Sequence, residues 1–293
     1  MATGPVHVPV LLDEVIEWLS PRPGGVIVDA TFGGGGHAVA LAERVGQGGV
    51  VLGLDRDPAA IAAAEPRVAG RPIRLAAANY ADLPELLDRW KIQAVDGVVM
   101  DLGVSSDQLA DADRGFSFSA DGPLDLRFDP ARGEPARRLV NRLSGEHLAE
   151  LIHRYGEERY SRRIARAIVA RRQQRPIETA SELAELIRRA VPRPARGQRL
   201  DPATRTFQAL RIAVNEELKW LEVALRRIPE RLHSGGRIAV ISFHSLEDRL
   251  VKESFRADER LVALTRRPVQ PTAAEIERNP RARSAKLRVA ERR

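Results

Sequence analysis

Residues 26–37 of the chain read VIVDATFGGGGH, and this stretch decides the fold. Its first three residues are β-branched and apolar, as in a buried strand, and Asp29 closes that strand. The four glycines allow a tight turn, and residues 37–45 have the apolar spacing of a helix. A strand, a glycine turn and a helix in this order are typical of the first unit of a ligand-binding α/β sheet.

The alternation of strands and helices continues after this unit. Further strands are predicted at 49–55, 73–77 and 95–101, with helices between them at 58–65 and 83–90. Because these strands are apolar without a regular polar face, they suit a parallel sheet that helices cover on both sides. We therefore predict an α/β fold with a Rossmann-like, doubly wound sheet.

The alternation stops after residue 101 and returns near residue 206. Residues 103–132 are polar but contain buried-type aromatic residues, as an ordered loop does, and residues 139–191 have a purely helical pattern. The α/β pattern then resumes, and the predicted elements are a long helix at about 206–231, a strand at 237–242, a helix at 246–257 and a last strand near 285–290. We predict a core made of residues 1–104 and 206–293 and an inserted all-helical domain of residues 105–205.

Positive charge is concentrated in the predicted insertion. The whole chain has 47 Lys and Arg against 40 Asp and Glu, whereas residues 132–199 alone carry 17 Arg and 8 Glu with no Lys or Asp. Such a cluster indicates a polyanionic partner such as RNA, since arginine binds phosphates well. The predicted contacts are Arg162, Arg163, Arg166, Arg171, Arg172 and Arg205. An ordinary solvated helix face is the alternative.

Several classes of chemistry are excluded or disfavoured. The chain has no cysteine, which removes disulfides, thiolate metal sites and cysteine nucleophiles. No set of His, Asp and Glu has the spacing of metal ligands, so no catalytic metal is expected. Without an apolar run of membrane-spanning length or a leader-like start, we expect a cytoplasmic protein with no membrane partner. The oligomeric state stays open, a homodimer included.

Polar residues close each of the predicted strands of the first half. Asp29, Asp55 and Asp101 are the last residues of their strands, and Asn79 and Tyr80 follow the third strand. In open α/β sheets, ligands bind at the carboxyl ends of the strands. The sequence therefore predicts a ligand site at this edge, although each residue by itself is also common in a strand-end turn or a helix cap.

Two cofactors fit a glycine turn beside polar residues at the carboxyl ends of the strands. Gly33, Gly35 and Ala38 match the G-x-G-x-x-A pattern of dinucleotide sites, so NAD stays open. S-adenosylmethionine fits the full set better, because it has a ribose, an ammonium and a sulfonium but no pyrophosphate. Asp55 would suit a ribose diol in either case.

Long motifs of the chain resemble one known family. The motifs are VDATFGGGGH at 28–37, LDRDP at 54–58, DLGVSSDQL at 101–109, RGFSF at 114–118, YGEER at 155–159, PATRTFQALR at 202–211, SFHSLEDR at 242–249 and NPRARSAKLR at 279–288. They are similar to the bacterial small-subunit ribosomal RNA (cytosine-N4)-methyltransferases, the RsmH or MraW family, over nearly the whole chain. The resemblance implies a class I methyltransferase core, S-adenosyl-L-methionine as methyl donor, and a decoding-region cytosine of 16S rRNA in the small ribosomal subunit as substrate.

The resemblance also implies site residues. The family's donor contacts fall on Gly35, Gly36, His37, Asp55, Tyr80, Asp101 and Gln108. Tyr80 stands where the family commonly has Phe, so an aromatic ring is kept.

The absence of cysteine bears on which atom of cytosine is methylated. Methylation at C5 requires a cysteine thiolate, whereas the exocyclic N4 can accept a methyl group by direct displacement when its N–H groups are held. Asp101 is the first candidate catalytic residue, although the following Leu102-Gly103-Val104 lacks the prolines of the usual amine-methylating tetrad. His244 is the second candidate, with a structural role as its alternative. An NAD-dependent oxidoreductase and a non-catalytic RNA-binding assembly factor remain the competing functional classes.

Overall fold

The computed structural model describes residues 9–118, 121–192 and 201–293. It divides into two compact units. An α/β unit comprises Met1–Gly103 and Leu218–Arg293, and a helical unit comprises Val104–Glu217. Arg193, Arg196 and Arg199 of the basic segment lie outside the described residues.

The strands form one seven-stranded sheet in the α/β unit. They are β1 (Val26–Asp29), β2 (Val50–Asp55), β3 (Ile73–Ala77), β4 (Val95–Asp101), β5 (Leu232–Ser242), β6 (Leu261–Ala263) and β7 (Lys286–Arg292). The order across the sheet is β3-β2-β1-β4-β5-β7-β6. The pairs from β3 to β5 are parallel, while β7 runs antiparallel to β5 and β6. The predicted doubly wound α/β sheet is confirmed.

The helices fall into both units. In chain order they are α1 (Leu12–Leu19), α2 (Gly36–Val45), α3 (Pro58–Val68), α4 (Leu83–Trp90), α5 (Ser106–Ala110), α6 (Ala136–Arg142), α7 (Gly145–Gly156), α8 (Ser161–Gln174), α9 (Ala180–Ala190), α10 (Thr204–Asn215), α11 (Glu217–Arg227), α12 (Ser245–Ala257) and α13 (Ala273–Arg278). None of the helices within the described residues is both long and apolar enough to cross a membrane.

Each face of the sheet has its own apolar layer. Successive residues of β4 alternate between them: Val98 and Met100 belong to one buried cluster, and Val99 belongs to the other. Leu87 of α4 packs in the first cluster, and Leu41 of α2 packs in the second. Helices therefore cover both faces, which is why the strand sequences show no polar alternation.

The helical unit has a core of its own, built from the apolar faces of α6–α10. Leu148 and Ile152 of α7 pack in one cluster with Ile164 of α8, Leu183 of α9 and Leu210 of α10. The loop between β4 and α6 joins this core through Phe116 and Phe128, whose rings stack with centroids 5.6 Å apart. The aromatic residues of the predicted ordered loop thus serve packing.

The long helix predicted at about 206–231 is wrong: the structure has two helices there. Glu216 lies between α10 and α11 with a φ of 50°, in the left-handed region. The buried Asn215 anchors this break, because its Nδ2 donates to the Leu126 carbonyl at 2.7 Å and its Oδ1 accepts from the Phe128 N–H at 2.7 Å. As a result α10 packs in the helical unit, which extends to Glu217 and not only to residue 205.

Helix α5 of the helical unit falls in the predicted loop at 103–132 and was not predicted. Three short elements of the α/β unit, α1, β6 and α13, were not predicted either. They have 8, 3 and 6 residues. Elements of this length contain too few residues for the spacing of apolar residues to identify a helix or a strand. Their formation depends on packing against the rest of the α/β unit.

Replacing Asn215 with leucine tests the anchor at the helix break. Asn215→Leu should lower the free energy of unfolding by about 2–4 kcal/mol, because two buried backbone groups lose their partners. Urea denaturation measures the change. Gln173→Leu, at an exposed amide of α8, is the matched control and should change the unfolding free energy by less than about 0.5 kcal/mol. Equal effects of the two substitutions would contradict the anchoring role.

Candidate functional site

The site lies at the carboxyl edge of the sheet, where β1 ends between β2 and β4. Asp29 is in register with Gly53 of β2 and Val99 of β4. Asp55 and Asp101 end those neighbouring strands two residues further along. The edge therefore has a notch with Asp29 at its base and the other two carboxyl groups on its sides. This notch is at the topological switch point, because the chain leaves β1 toward β2 on one side and returns as β4 on the other.

The glycine turn after β1 is held by Asp55. Its Oδ2 accepts from the Gly33 N–H at 2.8 Å, and its Oδ1 accepts from the Asp57 N–H at 2.9 Å. Gly35 has a φ of +80°, and a Cβ there would lie 2.5 Å from the Phe32 ring. The turn consequently requires glycine for both conformation and space.

His37 joins the glycine turn to the other side of the notch. Its Nε2 lies 3.0 Å from the Val10 carbonyl, which can only accept, so Nε2 carries the proton. Its Nδ1 lies 3.8 Å from Asp101 Oδ2. The backbone N–H of Asp101 donates to Thr31 Oγ1 at 2.6 Å, which ties the end of β4 to the loop after β1.

The carboxyl groups of the notch resist ionisation. Burial raises the pKa of Asp29 to about 7, with the nearby Asp55 contributing, and burial also raises the pKa of Asp55. Burial and then the charges of Asp29 and Glu247 raise the pKa of Asp101 well above its ordinary value. Such a group of acids favours a cationic ligand, because a cation would stabilise their charged forms.

Two oxygens of the notch lack hydrogen bonds. Asp29 Oδ2 and Asp101 Oδ1 are buried and have no partner among the described residues. The Asp29 residue is 1% exposed, whereas the Asp101 side chain is 19% exposed. Asp101 is therefore the more accessible of the two, and both have bonding capacity left for a ligand.

The other predicted donor contacts differ in their surroundings. Gly36 begins α2 beside the notch. Tyr80 follows β3 in a short 3₁₀ helix, Tyr80–Asp82, and its ring is part of the buried core. Gln108 is in the helical unit, where it is buried and forms a capping box with Ser105 at the start of α5. The structure thus brings together Gly35, Gly36, His37, Asp55 and Asp101 at one edge, and it places Gln108 in the other unit.

His244 is the N-cap of α12, and both of its ring nitrogens face Glu247. Nδ1 accepts from the Glu247 N–H at 3.3 Å, and Nε2 lies 3.2 Å from Glu247 Oε1 without the alignment of a hydrogen bond. Glu247 Oε2 accepts from the Phe243 N–H at 3.0 Å. Glu247, a buried carboxyl group that also acts on Asp101, was not among the predicted site residues. Its signal was the capping-box spacing from residue 244 to residue 247.

Three of the predicted RNA contacts are free for a ligand. Arg162, Arg163 and Arg166 are exposed on the first half of α8 and make no hydrogen bond or ion pair with any described residue. Arg162 and Arg166 are four residues apart, so they share one helix face. This face is available to a polyanion.

The other three predicted RNA contacts have partners inside the helical unit. Arg171 pairs with Glu182, which links α8 to α9. Arg172 Nη1 donates to a backbone carbonyl of α6 at 2.7 Å. Arg205 Nη1 donates at 3.1 Å to the carbonyl of the residue that follows α7. These arginines hold the unit together, which leaves fewer of their donors for phosphate.

Known proteins similar to the chain agree on one family. The model of the MraW methylase family matches residues 5–293. A relative from Thermomicrobium roseum, named ribosomal RNA small subunit methyltransferase H, is 51% identical over 98% of this chain and 93% of its own length. A relative of the same name from Synechococcus elongatus is 52% identical over 98% of this chain and 94% of its own length.

Some solved structures resemble the chain at a much lower level of sequence identity. One described as an rRNA methylase from Streptococcus thermophilus has a TM-score of 0.44 and 13% identity, and the match covers 100% of this chain and 98% of that one. Similarity at this level carries no argument about chemistry, so the assignment depends on the family model and on the relatives of about half-identical sequence. The chain belongs to the MraW methylase family.

Proposed function

We propose that the chain transfers a methyl group from S-adenosyl-L-methionine to N4 of a cytosine in the decoding region of 16S rRNA, within the small ribosomal subunit. Membership of a methylase family and the names of the relatives support a small-subunit rRNA methyltransferase. The observation that carries the proposal is the acidic notch beside the glycine turn. The place of action is the bacterial cytoplasm, where small subunits are assembled.

The notch fits the methyl donor. The donor carries a sulfonium and an ammonium, and the notch offers buried carboxyl groups with unsatisfied oxygens at Asp29 and Asp101. Gly35, Gly36, His37, Asp55, Tyr80 and Asp101 would hold it, and the resemblance adds Gln108. When bound, the donor supplies an electrophilic methyl group.

An NAD-dependent oxidoreductase is disfavoured by the same charges. The pyrophosphate of a dinucleotide is anionic and would lie at the glycine turn, close to Asp29, Asp55 and Asp101. Burial is the main cause of the raised pKa values of Asp29 and Asp101, and repulsion from neighbouring carboxylates raises these values further. A cationic donor removes this repulsion, and a dinucleotide adds to it.

Asp101 is the proposed catalytic residue. When N4 forms its bond to the methyl carbon, the bond between that carbon and the donor's sulfur breaks and N4 must lose one proton. The cationic donor favours the ionised form of Asp101, and we expect this carboxylate to hold an N–H group and to accept the proton. Its raised pKa makes it a better acceptor than an ordinary aspartate. Gly103, with a φ of 103°, follows it and allows a base to approach the backbone closely. His244, with both nitrogens facing Glu247, is proposed to position the turn after β5.

The proposed reaction is tested directly with labelled donor and small subunits that lack the modification. N4-methylcytidine at one decoding-region position, identified by mass spectrometry of RNA fragments, is the expected product. Label on C5 or on no nucleotide would overturn the proposal. RNA binding without transfer would favour the assembly factor.

Substitution of Asp101 tests its part in the transfer step. Asp101→Ala should lower turnover by about 100-fold at saturating donor and RNA, because a positioned acceptor is lost. Asp101→Asn keeps an acceptor oxygen without the charge and should recover part of the rate. Steady-state kinetics give both values. Full turnover of Asp101→Ala at saturating donor would limit Asp101 to donor binding.

Donor affinity should depend on pH through Asp29. Below pH 7 Asp29 holds a proton, since its pKa is raised to about 7, and a cationic donor favours the ionised form. The affinity should therefore rise by up to roughly tenfold per pH unit up to about pH 7 and then level off. Calorimetry between pH 5.5 and 7.5 measures this slope. Asp29→Asn should make the slope smaller, with the remainder due to Asp101, whose pKa is also raised, whereas Asp13→Asn, at an exposed aspartate of α1, should leave it unchanged. A wild-type affinity that is flat across this range would contradict the coupling.

The free arginines of α8 should carry RNA binding. The double substitution Arg162→Gln with Arg166→Gln should weaken RNA binding and lower the salt dependence by roughly 0.7–0.9 per lost contact. Fluorescence anisotropy at several salt concentrations measures both effects. Arg44→Gln with Arg67→Gln removes the same charge from exposed positions of α2 and α3 and is the control. Equal slopes for the two double variants would make the α8 face an ordinary solvated surface.

A further inference from the structure

A cavity of about 220 Å³ lies beyond the carboxyl end of β5 in the α/β unit. One wall is the turn from β5 into α12, with Phe243, His244 and Ser245. The second wall is the segment that leads into β7, from Arg283 to Lys286. These walls are adjacent because Lys286 pairs with Ser242 in the sheet. The proposed donor site does not use this cavity.

The cavity has a surplus of positive charge. Lys286 Nζ lies 3.3 Å from Asp248 Oδ2, and the buried Arg288 donates to the other oxygen of Asp248 at 2.6 Å. Although burial raises the pKa of Asp248, these two cations lower it overall, so the carboxyl group stays ionised and balances only one of them. Arg283 is exposed and makes no hydrogen bond or ion pair with a described residue. Glu247 carries the other carboxyl group nearby, so Lys286, Arg288 and Arg283 together exceed the two carboxylates by one positive charge.

The neutral groups of the walls also suit an anion. Ser245 and Ser284 bring hydroxyl groups, and Ser245 begins α12, a helix of 13 residues. The first turn of α12 is already capped by the His244 side chain and carries Glu247 and Asp248, so the side chains of the walls, and not the helix dipole, suit an anion. Guanidinium, ammonium and hydroxyl donors on one cavity are the groups that bind phosphate oxygens.

The position of the cavity relates it to the reaction. Asp101 is in register with Ile241 of β5, and the cavity begins two residues beyond Ile241 at the same edge of the sheet. Neighbouring strands are about 5 Å apart, so the cavity borders the strand next to the one that Asp101 ends, at the same edge of the sheet. Phe243, half-buried in the wall, adds an apolar surface for a sugar or a base.

We propose that this cavity binds a backbone phosphate of the substrate RNA beside the nucleotide that is methylated, with Arg283 as its main contact. The inference rests on the proposed function and gives the α/β unit an RNA contact separate from the arginines of α8. Arg283 is then a positioning residue, which holds the strand in the register that presents one nucleotide to Asp101. The phosphate of a free nucleotide has the same chemistry, and the experiment separates the two.

The test compares Arg283→Gln with Arg256→Gln, which removes the same charge from an exposed position at the far end of α12. The probe is a single-stranded RNA oligonucleotide with the decoding-region sequence around the target cytosine. Arg283→Gln should raise its Kd roughly tenfold and lower the salt slope by roughly 0.7, whereas Arg256→Gln should have little effect. The Kd of the methyl donor should be unchanged in both variants, which also verifies that they fold. Equal losses in RNA affinity would overturn the inference.

A neutral linkage in the RNA identifies the contacted group. A methylphosphonate next to the target cytosine should weaken binding to the wild type roughly tenfold. It should hardly affect binding to Arg283→Gln, because this variant already lacks the contact between the arginine and the phosphate. Independent losses would overturn the assignment, as would displacement of the RNA by cytidine 5′-monophosphate at concentrations comparable to the Kd of the oligonucleotide. If the wild type methylates small subunits but the Arg283 and methylphosphonate experiments do not give the expected results, only the phosphate-binding cavity is disproved. If the wild type transfers no methyl group to RNA, the proposed function falls.

Discussion

The parallel pairing of β1 with both β2 and β4 is the constraint on which the rest of the site depends. It places Asp29 two residues below Asp55 and Asp101, and so it forms the notch. The glycine turn follows directly from the end of β1 and is held by Asp55 across the notch. The end of β4 is tied to the same loop through Thr31. A shift of one strand would separate the carboxyl groups and leave the turn without its acceptor.

The same pairing has an electrostatic cost. Buried carboxyl groups close to one another are unfavourable, and the raised pKa values of Asp29 and Asp101 express this cost. A bound cation offsets this unfavourable energy, because it supplies the opposite charge and the missing hydrogen bonds. Glu247 adds to the effect on Asp101 while fixing the turn at His244. The surrounding sheet holds the carboxyl groups of the notch in place when no ligand is bound.

The arginines of the chain serve two physical purposes that composition does not distinguish. Arg171 and Arg172 join helices within their unit, and Arg288 of β7 is paired with Asp248 of α12. Arg162 on α8 and Arg283 beside β7 are exposed and have no partner among the described residues. The second kind is the one that can exchange counterions for RNA phosphates. The number of arginines therefore overstates the size of an RNA-binding surface.

The sequence by itself determined the sheet class and the acidic edge, because strands such as 95–101 are read from local apolar runs and their last residues then fall at a common edge. The family and the candidate donor residues were also readable, since long motifs carry them. Only the tertiary structure decided the break at Glu216, the burial of Tyr80 in the core and the closeness of Glu247 to Asp101. Each of these depends on residues far apart in the chain, whose packing and charges act on one another only after the sheet has formed.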